Sequence, residues 1–153
     1  MVALFVPLII SLNSPAQASG STTYEATGTI TINAGSTTAG LGSSPVSGSA
    51  VLNVADLQSA LASGNVTVSS GVDVIVESAV TYSSSVSLTL EGSRHVRLSP
   101  GSDLTATGAS NLTLRADDNG TQSGIIYIDG SNMASAGGAI VLDGNTFSNR
   151  PLR

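Results

Sequence analysis

The sequence predicts an all-β fold, a parallel β-helix (β-solenoid) with an N-terminal capping helix, and three observations carry that expectation. A short strand recurs as Val66-Thr67-Val68, Leu88-Thr89-Leu90, Leu112-Thr113-Leu114 and Ile140-Val141-Leu142, with offsets of 22, 24 and 28 positions. Self-similarity at such a period marks coils stacked on one another. Apolar residues alternate with Ser and Thr through these runs, the period of a half-buried strand. Only 10% of the 153 residues are charged and 3% aromatic. The β-branched runs are separated by Gly, Asn, Asp and Ser, the chemistry of tight corners.

In chain order, residues 1–18 read as a secretory signal peptide. The apolar stretch from Val2 to Leu12 is too short to span a bilayer. It leads to Ala16-Gln17-Ala18, a small-x-small cleavage pattern. Residues 19–52 form a Ser/Thr/Gly-rich region of strand and loop. There Thr27 to Ile32 alternates so that Ile30 and Ile32 face inward, and Gly40 to Pro45 is loop.

Residues 53–64 make the one convincing helix. Asn53 is placed to cap it, Asp56 falls in the first turn where the dipole favours a carboxylate, and Gly64 ends it. Val54, Leu57, Ala60 and Leu61 form an apolar stripe at helical spacing. Lying just before the first coil, such a helix is suited to plugging the open end of a solenoid.

Residues 65–144 are the coils. The first contributes Val66, Val68, Val74, Val76, Val80 and Tyr82 to the inside. The second contributes Leu88, Leu90, Val96, Leu98, Leu104 and Ala106. Leu112, Leu114, Ile126, Ile128 and Met133 serve the third, and Ile140 and Leu142 open a fourth. Alternation then leaves Thr67, Thr89 and Thr113 outside in register, a candidate binding face. Residues 145–153 drop the pattern and read as an irregular tail at a truncation. The last coil is therefore expected to expose an edge that favours self-association.

Charge narrows the function. The net charge is −5, there is no Lys, and the Arg residues (94, 97, 115, 150, 153) form no cluster. Nucleic-acid binding needs a positive stripe and is not expected. The absence of Cys removes disulfides and thiolate metal sites.

The run Ala55-Asp56-Leu57-Gln58-Ser59-Ala60-Leu61 leading into Asn65-Val66-Thr67-Val68 resembles the repeat region of large secreted bacterial exoproteins of the filamentous haemagglutinin type. So does Leu112-Thr113-Leu114-Arg115-Ala116-Asp117-Asp118 before an Ile-rich strand. The resemblance implies a right-handed parallel β-helix, a secreted or cell-surface location, and adhesion to a host or neighbouring cell surface or an extracellular glycan. It implies no catalytic residues, and no cofactor or metal is expected. The Asn-Pro-Asn type motif of that family's secretion domain is absent.

Other chemistry is thinly written. His95 is the single histidine, and a Ser-His-Asp set drawn from so many serines carries no information. It reads as a solvent-facing residue of its strand. Asp117, Asp118, Asp129 and Asp143 could serve a carbohydrate-active β-helix or hold calcium, but each sits in a turn signature. The regular Thr positions also admit an ice-binding solenoid. Asn65, Asn111 and Asn119 begin Asn-x-Ser/Thr triplets, which a Ser/Thr-rich chain produces by chance.

Overall fold

The structure, a computed structural model, describes residues 20–117 and 123–148. The expected signal peptide, Asp118, Asn119 and residues 149–153 lie outside the described residues. The fold is a right-handed parallel β-helix of three sheets. Sheet A stacks β1 (Gly20–Ala26), β4 (Gly64–Ser70), β7 (Leu88–Gly92), β10 (Leu112–Ala116) and β13 (Ile140–Asp143) in that order. Sheet B stacks β3 (Ala50–Asn53), β2 (Ile30–Asn33), β5 (Asp73–Val76), β8 (His95–Leu98), β11 (Ile125–Ile128) and β14 (Asn145–Ser148). Sheet C holds β6 (Val80–Tyr82), β9 (Leu104–Ala106) and β12 (Met133–Ser135). Every ladder is parallel.

Alternation builds the core. Ile30, Val74, Val96 and Ile126 form one inward column of sheet B, and Ile32, Val76, Leu98 and Ile128 form the next; all are buried. Val66, Leu88 and Leu112, with Val68, Leu90 and Leu114, do the same in sheet A. Each such side chain contributes about 1.5–3 kcal/mol of burial energy, so the stack needs no staple.

Two expected boundaries change. The solenoid begins before residue 65: β1 pairs along its length with β4, Thr22 against Val66 and Tyr24 against Val68. The tail is not irregular over its first residues, because Asn145–Ser148 forms β14 and pairs with β11.

Helix α1 (Val54–Ser63) lies inside the first coil and not ahead of it. Asn53 Oδ1 accepts from Ala55 N at 2.7 Å, and Asp56 takes the Thr37 hydroxyl. Leu57 and Leu61 are fully buried. The helix packs on β6, where sheet C would otherwise present a bare edge. Gln58 Nε2 donates to the Thr81 carbonyl of that edge at 2.8 Å. One helix thereby replaces the missing third strand and satisfies one of the edge carbonyls.

Serines tie the coils together at the corner between sheets C and A. Ser84 Oγ donates to Leu61 O (2.6 Å), Ser110 Oγ to Ser84 O (2.5 Å) and Ser135 Oγ to Ser110 O (2.5 Å). The line begins on the last turn of α1 and runs the length of the stack. Beside it Tyr82 Oη is buried without a hydrogen-bond partner among the described residues. Burial pushes this phenol up to about 12; the Ser110 hydroxyl opposes the shift but already donates to Ser84 O. The neutral form is the one the fold favours, so its stabilisation is complete below the ordinary value near 10. It is lost as pH rises from there towards 12. Tyr82→Phe should leave neutral-pH stability unchanged or slightly raised, since no bond is lost. It should also remove up to about 3 kcal/mol of the alkaline loss. Urea titrations of both proteins between pH 8 and 12 check this; identical alkaline slopes would refute it.

Candidate functional site

The outer face of sheet A carries the sequence-predicted site residues. Thr67, Thr89 and Thr113 stand in register on β4, β7 and β10. Thr23 on β1 joins below Thr67, and Val141 on β13 closes the column above Thr113. Adjacent members lie one strand spacing apart, about 4.8 Å. The three expected threonines are half-buried and Thr23 is exposed. Thr23 escapes a sequence reading because its strand precedes β4 by 44 residues, twice the repeat, and is written Thr-Thr-Tyr.

Charged residues flank this column on one side. Glu25, Ser69, Glu91, Arg115 and Asp143 are in register. Arg115 reaches Glu91 at 2.8 Å and Asp143 at 3.0 Å. Glu91 and Arg115 follow the strand signature at the same offset, a cross-strand pair that the sequence shows once the copies are aligned. On the other side, Asn65 Oδ1 accepts from Ser87 N (2.8 Å) and Asn111 Oδ1 from Ala139 N (2.9 Å). Both asparagines therefore stitch one coil to the next.

Sheet B presents Thr31, Ile75, Arg97 and Tyr127 as its central outer column. His95 is held and half-buried, where the sequence suggests a solvent-facing residue. Its Nδ1 accepts from Ile125 N at 3.0 Å, and its ring meets Tyr127 edge-on at 5.6 Å. Asp73 accepts the backbone N–H of His95 and not its ring; it also binds Arg94 in bidentate fashion at 2.9 and 2.5 Å. The hydrogen bond from Arg94 holds the Asp73 carboxyl below the usual carboxylate range. The hydrogen-bond geometry of a catalytic triad is not met by this pair.

Of the candidate carboxylates, Asp117 and Asp143 line one shallow recess with Ala116, Gly124, Gly144 and Asn145. Asp143 is occupied by Arg115, and Asp117 adopts a left-handed φ of 69°, the backbone of a corner. Asp129 does not line that recess; its amide donates to Leu98 O. Among the described residues no group of three or more His, Cys, Asp or Glu is placed to hold a metal. None of their helices is long and apolar enough to cross a membrane.

Compared with protein-family models, with curated proteins and with solved structures, the chain matches none. The parallel β-solenoid therefore stands on its own register and core.

Proposed function

We propose that this chain is a structural and adhesive segment of a secreted bacterial surface exoprotein of the filamentous haemagglutinin type. It acts by contact with a cell surface or an extracellular glycan and not by turnover. The observation that carries the reading is the column Thr23, Thr67, Thr89 and Thr113, four hydroxyl side chains at one strand spacing on the outer face of sheet A. Each offers a donor and acceptors in fixed register, and the flanking Asn and Glu/Arg columns hold the coils beneath it. Such a face binds through repetition, since each contact is weak and many engage together.

The test is binding of the purified chain to cells and to a glycan array, with Thr89→Arg as the variant that covers the centre of the column. Binding should fall about tenfold, the loss of roughly 1.4 kcal/mol, while the unfolding midpoint stays near that of the wild type. Equal binding by the variant would remove the column from the site. Release of reducing ends from a polysaccharide would instead establish a carbohydrate-active β-helix, and thermal hysteresis an ice-binding one.

A further inference from the structure

Side chains as well as backbone ladders join one strand to the next along the stack. At or beside the start of a strand, Ser49, Asn65, Asp73, His95, Asp103 and Asn111 each accept the backbone N–H of the residue standing over them in the neighbouring strand. The ladders put each donor in register with its acceptor. The others accept through oxygen. His95 accepts through Nδ1, from Ile125 N at 3.0 Å.

That difference matters when a proton arrives. An amide or hydroxyl oxygen does not titrate, and a carboxyl group that takes a proton keeps an oxygen able to accept. A neutral imidazole has one acceptor nitrogen, and the proton that charges the ring occupies it, so both nitrogens become donors. Among side chains of ordinary pKa, His is the one that changes charge between about pH 5 and 8. The bond from Ile125 requires the neutral tautomer with its proton on Nε2. A second proton would set N–H against N–H across 3.0 Å, so the charged ring loses this partner.

An alternative partner lies in the same column. Asp73 stands under His95 and Ile125 over it, each about 4.8 Å away. The Asp73 carboxylate takes the His95 amide and the Arg94 guanidinium, whose hydrogen bond holds the carboxyl below the usual carboxylate range. It therefore stays charged in mild acid. Arg94 and Arg97 beside the ring along the chain, Tyr127 on β11 and Asp117 at the corner next to Gly124 and the Arg94 carbonyl complete the charged and titratable surroundings.

We propose that His95 is a pH-sensitive latch between the second and third coils. Neutral, it holds the first amide of β11 and meets Tyr127 edge-on. Protonated, it releases Ile125 N and turns its N–H toward Asp73. The entry to β11 then opens locally, while the ladders and the oxygen fastenings elsewhere stay closed.

Amide hydrogen exchange read by NMR on the full chain tests this, and the fold supplies its own controls. Ser87 N and Ala139 N are held in the same way by Asn65 and Asn111. Protection factors, which remove the intrinsic pH dependence of exchange, are compared at about pH 7.5 and about pH 5. Protection at Ile125 should fall about tenfold at the lower pH, and that at Ser87 and Ala139 by less than about twofold. The ring nitrogen shifts of His95 should report a proton on Nε2 alone at the higher pH and on both nitrogens at the lower. His95→Asn puts an amide oxygen where Asn65 and Asn111 already use one, so Ile125 should stay protected at both pH values in that variant. Equal protection of wild-type Ile125 at the two pH values overturns the proposal. A fall shared equally by Ser87 and Ala139 also overturns it, because that is acid unfolding of the whole stack. So does a fall of the wild-type size in His95→Asn.

Discussion

Replacing both Leu57 and Leu61 with Asp is expected to abolish the folded state. Both side chains are fully buried, with Val54 and Ala60 of the same helix packed partly buried against the core beside them. Truncating a buried Leu to Ala already costs about 2–5 kcal/mol, and a carboxylate in its place adds the cost of an unpaired buried charge. Two such changes exceed the 5–15 kcal/mol or so that a domain of this size holds in reserve. The consequence reaches beyond the helix. With α1 displaced, the Thr81 carbonyl loses Gln58 and β6 becomes a bare edge, so the protein should aggregate as it unfolds. Urea denaturation and size-exclusion chromatography measure both effects, with Ala55→Asp on the exposed side of the first turn as control. A double variant that remained monomeric with the wild-type midpoint would show that α1 does not cap the stack.

Gly92→Ala should be among the most damaging single methyls that can be added to the described chain outside the helix. Gly92 stands between Ser70 and Ala116 in the small-residue column where sheet A turns into sheet B. A Cβ there would lie 2.2 Å from the carbonyl oxygen of His95 and 2.9 Å from its carbon. That atom is backbone and cannot swing aside. Opening the turn would pull on Ser93 N to Ser70 O (3.0 Å), on Arg94 N to Val72 O (2.7 Å) and on the Arg94–Asp73 pair. A loss of about 3 kcal/mol is expected, at the upper end for overpacking. Gly101→Ala is the informative contrast. Its φ of +80° is unfavourable for alanine, but nothing lies within 4 Å of the new methyl, so the cost should be about 1 kcal/mol. The reverse order of the two denaturation midpoints would mean that backbone conformation, and not close approach, governs these corners.

The parts of the fold legible in the sequence were those that repeat locally. Leu88-Thr89-Leu90 and Leu112-Thr113-Leu114 carry period 2 within the strand and a near-constant interval between strands, and the two together give a stack. Asn53, Leu57 and Leu61 likewise announce a capped amphipathic helix. What failed to show was whatever depends on a neighbour far along the chain. β1 puts Thr22 at an inward register position and is separated from β4 by the loop, β3 and α1, so neither its pattern nor its interval matches. β14 places Thr146 where the other coils place Ile or Val, which hides the strand. The site divides in the same way. The threonines are visible through the strand signature, whereas the Arg115 bridge to Glu91 and Asp143 needs three coils laid in register. In a chain this rich in Ser, nothing local singles out Ser84, Ser110 and Ser135 from the rest.

That line of serines fastens each coil to the segment before it. Every hydroxyl in it belongs to the later coil and every acceptor to the earlier segment, back to the last turn of α1. A load applied at the C-terminal end therefore strains the fastenings of the outermost coil first, while those beneath stay shielded until it has gone. Each release frees 22–28 residues, about 80–100 Å of extended chain. Pulled from that end, the solenoid is expected to lengthen in steps of one coil.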